Sequence, residues 1–245
     1  MKNWIIMQLG FIAMVIVNIL SNALPINGQT ASEISNRIDV LITPAGYVFS
    51  IWGVIYGLLA IWLYLLWKKY KTMKTETYSK LTFLFVLSCA LNISWLFSYH
   101  YEKFILSIFI IIALLIVLIA IYLMYPVGDR QFSGRLPFSI YLGWISVATI
   151  VNISYTLKYY DVSLGIDEVL GTIVLLAFAG ILALIGLYRA NDPFFALVFV
   201  WAIIGVARSN DVSQLVETAY TIAIVIFVVT IAFLFTKGKK KLAHK

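Results

Sequence analysis

Trp52, Trp95 and Trp144, together with Asn92 and Asn152, are the residues of this 245-residue chain whose types and positions could do chemistry. Each lies inside an apolar run, not at its edge. A tryptophan at the end of such a run is explained by anchoring at a membrane interface, whereas one within it is there to pack a core or to offer a ring for stacking. An unpaired amide in hydrocarbon is costly, so Asn92 and Asn152 must meet either a polar group on another helix or a ligand. Large flat rings beside buried amides suit a planar, mostly apolar molecule, held by stacking and oriented by a few hydrogen bonds.

Other chemistry finds little support. The two histidines, His100 in a turn and His244 in the tail, and the single Cys89 cannot assemble a His/Cys metal cluster, and no phosphate-cradling glycine loop or nucleophile elbow occurs. Neither a catalytic residue nor a required cofactor is expected. Glu217 is the one carboxylate inside an apolar run, with Arg208 and Asp211 just before it. Its place in the first turn of its helix favours an interfacial or Arg208-paired role over a proton or substrate site.

The elements that must position these residues are membrane spans. Apolar residues make up 62% of the chain, against about 45–50% in soluble domains, leaving no room for a separate soluble domain. Pro44 to Trp67 carries no charge across 24 residues, about 36 Å of helix against a hydrocarbon core of about 30 Å. Its load of Trp52, Tyr56, Trp62, Tyr64 and Trp67 exceeds what anchoring requires. Further spans are expected at about 5–24, 81–99, 104–125, 137–157, 169–188, 193–207 and 215–235. The first is expected to be a retained helix, with Asn18, Ser21 and Asn22 on one face, and the fourth is almost purely aliphatic and reads as packing or lipid-facing. The seventh is short, and charge argues for it: with eight spans, 14 Lys and Arg lie on the side of both termini and 4 on the other, the asymmetry of cytoplasmic termini in a cell membrane. That confinement to short loops also removes the nucleic-acid reading of a net charge of +7.

Between the first two spans, Ile26 to Thr43 is long for a helix connection and reads as a lid or as disorder. Gly53 and Gly57 form a GxxxG that permits close helix approach, and a homodimer seam is one use of it. Trp4, Tyr99, Tyr125 and Tyr159 sit at span ends as anchors, as do Trp62, Tyr64 and Trp67 near the lysine-rich end, where packing is the alternative.

Three motifs in order carry a resemblance: Pro44, Phe49, Trp52, Gly53 and Tyr56; then Ala90-Leu91-Asn92 with Trp95; then Leu142-Gly143-Trp144 followed by Ala148-Thr149 and Asn152. Together they resemble the TspO/translocator protein family, the tryptophan-rich sensory proteins, over roughly residues 1–160. The resemblance implies an all-α, TspO-like five-helix unit (1–160) that binds porphyrins, haem-like tetrapyrroles or other planar hydrophobic molecules, followed by three further spans with a basic tail (161–245). Carried over by position, Trp52, Asn92, Trp95, Trp144, Ala148 and Asn152 would line or support the pocket, with Tyr56 beside them and Pro44 and Phe49 near its mouth. Ile93 and Thr156 stand where the family has tryptophans, so rings that light-driven porphyrin breakdown would use are missing. A ligand-binding sensory protein is therefore the expectation, with a small-molecule transporter or a porphyrin-degrading photo-oxidative enzyme as the alternatives.

Overall fold

In hydrocarbon an unpaired backbone amide has no water to turn to, so runs of this hydropathy must fold as helices. The computed structural model, which describes residues 2–24, 26–163 and 165–242, shows them. The helices are α1 (Lys2–Ala23), α2 (Ala31–Asn36), α3 (Ile51–Lys69), α4 (Thr75–His100), α5 (Phe104–Tyr122), α6 (Leu136–Tyr159), α7 (Glu168–Arg189), α8 (Pro193–Arg208) and α9 (Ser213–Leu242), with no strand among the described residues. Seven are long and apolar enough to cross a membrane. The eighth apolar helix is α8, with 16 residues, about 24 Å long. His244 lies outside the described residues.

Local chemistry sets the ends. Pro193 stands in the first turn of α8, where its missing N–H matters least, and Asp192 Oδ1 accepts the Phe194 and Phe195 amides at 3.1 Å each. Asp167 caps α7 in the same way through Leu170 N. The run from Pro44 is not one helix: a 3-10 turn over Gly46–Ser50 precedes α3, which begins at Ile51.

By contacts the chain divides into two compact units, Met1–Val40 with Ser50–Val162, and Leu41–Phe49 with Ser163–Lys245. In the first, α1 packs on α3 and α4, α4 on α5, α5 on α6, and α6 on α3, closing a ring of five helices. Since lipid tails are as apolar as leucine, close packing and interhelical hydrogen bonds must hold such a ring together. Its most buried member is α6, with 72% of its apolar window inside. Trp62 is fully buried, its ring 4.9 Å from Phe138 and 5.0 Å from Phe85, and its Nε1–H donates to Tyr125 Oη at 2.9 Å. It packs; Tyr64 and Trp67 are exposed in the anchoring manner.

The connection after α1 is ordered over its described residues. Thr30 and Glu33 form a capping box at α2: Glu33 N donates to Thr30 Oγ1 at 3.2 Å, and Thr30 N donates to Glu33 Oε2 at 2.6 Å. That backbone hydrogen bond holds the Glu33 carboxyl below its ordinary range. Tyr155 Oη donates to Ile34 O at 2.8 Å and Asn27 Nδ2 to His100 O at 3.1 Å, while Arg37 Nη1 pairs with Glu102 Oε1 at 2.8 Å. The Arg37 guanidinium keeps the Glu102 carboxyl below the usual carboxylate range, and Tyr159 Oη adds a hydrogen bond at 3.3 Å.

In the second unit α7, α8 and α9 pack on one another. The segment Leu41–Phe49 runs along α8: Ala45 N donates to Gly205 O at 3.0 Å, Trp201 Nε1 to Val48 O at 3.1 Å, Ser209 Oγ to Thr43 O at 2.6 Å and Asn210 Nδ2 to Leu41 O at 2.9 Å. Gly205 permits this approach, because a Cβ there would collide with Val48 Cγ2 and stand 3.0 Å from Pro44 Cβ.

Candidate functional site

Tyr141, Trp144, Ala148, Asn152 and Tyr155 follow one another along α6 at steps of three and four, so one face of the most buried helix carries all five. On α3, Trp52 and Tyr56 are one turn apart and their rings stack, centroids 5.5 Å apart and planes 19° from parallel. Trp52 meets α6 edge-on, 5.9 Å from Tyr141 and 6.3 Å from Trp144. Four rings on two helices thus form one cluster, with Trp144 only 2% exposed.

The amides divide into two networks. Asn92 is fully buried; its Oδ1 accepts from Asn18 Nδ2 at 2.8 Å and its Nδ2 donates to Tyr141 Oη at 3.1 Å, joining α1, α4 and α6. Tyr141 Oη in turn has Met14 Sδ at 3.9 Å as a weak acceptor. Asn152 Oδ1 accepts from Trp95 Nε1 at 2.8 Å, and its Nδ2 donates to Ser107 Oγ at 2.9 Å, joining α4, α5 and α6. Both amides therefore serve as interhelical glue, the plainer of the two uses the sequence leaves open. α5 is less inert than its aliphatic run suggests, because Ser107 supplies the Asn152 partner.

Of the residues singled out from sequence, Trp52, Tyr56, Asn92 and Trp144 come together through Tyr141, while Trp95 and Asn152 form the second group and half-buried Ala148 lies between Trp144 and Asn152 on α6. Pro44 and Phe49 belong to the other unit, where Pro44 lies against Gly205. Tyr141 and Ser107 were missed. Tyr141 had a signal, its spacing of three from Trp144; Ser107 had only the isolation of a hydroxyl among aliphatic residues.

The ring cluster stands in an uncharged part of the bundle. Within α1 and α3 to α6, the Lys, Arg, Asp and Glu residues are confined to Lys2, Lys68, Lys69, Glu76, Lys80 and Lys158, all near helix ends. The Tyr56 hydroxyl of the cluster is buried and has no hydrogen bond among the described residues. At the C-terminal end of α4, His100 Nδ1 lies 2.8 Å from Leu96 O, and Nε2 is buried with no hydrogen bond among the described residues. No group of three metal-ligating side chains occurs among the described residues. Glu217 is exposed on α9, and no ion pair joins it to Arg208 among the described residues.

Searches of curated proteins and of solved structures gave no significant match. A family model, described as TSPO-like protein, matches residues 4–233 and so runs well past the five-helix unit. With helices of membrane-spanning length and a match covering nearly the whole chain, the protein belongs to the TSPO-like protein family.

Proposed function

We propose that the protein is a multi-pass cell-membrane receptor of the TspO sensory type, whose five-helix unit binds a planar hydrophobic molecule such as a porphyrin or haem-like tetrapyrrole. The observation that carries this reading is the Trp52, Tyr56, Tyr141 and Trp144 ring cluster, set in an uncharged part of the bundle and including a buried hydroxyl with no hydrogen bond among the described residues. Stacking supplies the affinity for a flat ligand and the rings exclude water from it. Asn92 and Asn152 hold the helices that present the rings.

Protoporphyrin IX titrated into the purified protein in lipid nanodiscs tests the reading through quenching of tryptophan fluorescence. Saturable quenching is expected, weakened at least tenfold by Trp52→Ala combined with Trp144→Ala. Absence of saturable quenching, or an affinity unchanged by the double substitution, would sink it.

A further inference from the structure

The hydrogen-bonding state of the ring cluster limits what kind of ligand it takes. Asn92 and Asn152 each have their oxygen and nitrogen engaged with other helices, Trp95 Nε1 is engaged with Asn152, and Tyr141 Oη accepts from Asn92. Turning any of these toward a ligand would break or weaken a bond between helices and leave its former partner less well satisfied. The Tyr56 hydroxyl has no such tie among the described residues. A buried polar group without a partner is itself unfavourable, and an acceptor arriving on a ligand relieves that cost. No Lys or Arg of the five-helix unit's spans lies away from the helix ends, so a carboxylate brought to the cluster would find no counter-ion.

We infer that Tyr56 is a specificity-determining residue of this site, its phenol O–H donating to an uncharged acceptor, such as a carbonyl oxygen or ring nitrogen, on an otherwise apolar planar ligand. The inference rests on the ligand-binding reading above and goes beyond it by naming the group that is read and the charge that is refused. A ligand with acidic substituents must hold them outside the cluster. Tyr56→Phe keeps the ring that stacks on Trp52 and removes only the donor.

Pyrene, 1-acetylpyrene and 1-pyrenecarboxylate present one ring system with no acceptor, one neutral acceptor and a charge, and their binding is read by energy transfer from tryptophan in nanodiscs. Comparing each probe between wild type and Tyr56→Phe cancels its partition into lipid. In wild type, acetylpyrene should bind tightest and the carboxylate weakest. Tyr56→Phe should weaken acetylpyrene by about threefold to tenfold and leave pyrene unchanged. Equal effects of Tyr56→Phe on pyrene and acetylpyrene, or a carboxylate that binds as well as the ketone, would overturn the inference. So would protoporphyrin IX binding while all three pyrenes fail, since the site would then require the acidic groups. Failure of protoporphyrin IX and the pyrenes alike would instead remove the ligand-binding reading itself.

Discussion

Replacing Asn152 with leucine tests whether the amides hold the five-helix unit together. Leucine has similar bulk but cannot accept from Trp95 Nε1, 2.8 Å away, or donate to Ser107 Oγ, 2.9 Å away. Interhelical hydrogen bonds in membrane bundles average about 0.6 kcal/mol and reach about 1.7. With partners on two other helices, Asn152→Leu should lower stability by about 1–2 kcal/mol. Trp95→Phe removes one of the same bonds and part of a ring, about 1 kcal/mol. If the Trp95–Asn152 bond is real glue, the two losses overlap, and the double variant should be more stable than their sum by about 0.5–1.5 kcal/mol. Unfolding in bicelles with increasing SDS, followed by helical circular dichroism, measures all four corners of this cycle. Strict additivity, or a loss below about 0.3 kcal/mol for Asn152→Leu, would refute the assignment and return the amide to the ligand.

Gly205→Ala should destabilise the second unit, because overpacking against Val48 and Pro44, at about 1–3 kcal/mol, outweighs the gain of about 1 kcal/mol in helix propensity; faster exchange of the Ala45 amide, which donates to Gly205 O, is the readout. Tyr155→Phe should loosen α2 by about 1 kcal/mol through loss of the bond to Ile34 O, seen as faster proteolysis between residues 26 and 40. Glu102 titrates below its ordinary value because Arg37 favours the ionised form, so the pairing contributes fully at neutral pH and is lost as falling pH titrates the carboxyl below the ordinary glutamate range. A nitroxide on Asp39→Cys, in a Cys89→Ala background, should gain mobility on that descent, and Glu102→Gln should show the mobile spectrum already at pH 7.

The spans were legible because run length and charge asymmetry are properties of contiguous sequence. Even short α8 could be argued from where lysines fall. The connection after α1 read as a lid or as disorder, and the local signal for its order, the capping-box spacing of Thr30 and Glu33, was missed. Partner identity was not legible. That Asn92 must bond followed from its burial, but that Asn18 and Tyr141 would receive it depends on the register of α1 and α6 against α4, which no local pattern encodes. Pro44 likewise sits a few residues before Trp52 in sequence yet groups with helices more than a hundred residues later. The family resemblance located the rings of the first five spans, while the match itself extends to residue 233.

Synthesis order gives the strap Leu41–Phe49 a waiting period. Val48 is made 153 residues before the Trp201 that bonds its carbonyl, an interval of about 8–30 s at roughly 5–20 residues per second. Through that time the carbonyls of Leu41, Thr43 and Val48 lack the side chains that later cover them. A nascent chain stopped after α6 therefore carries the ring cluster but leaves the residues leading into α3 without their anchor.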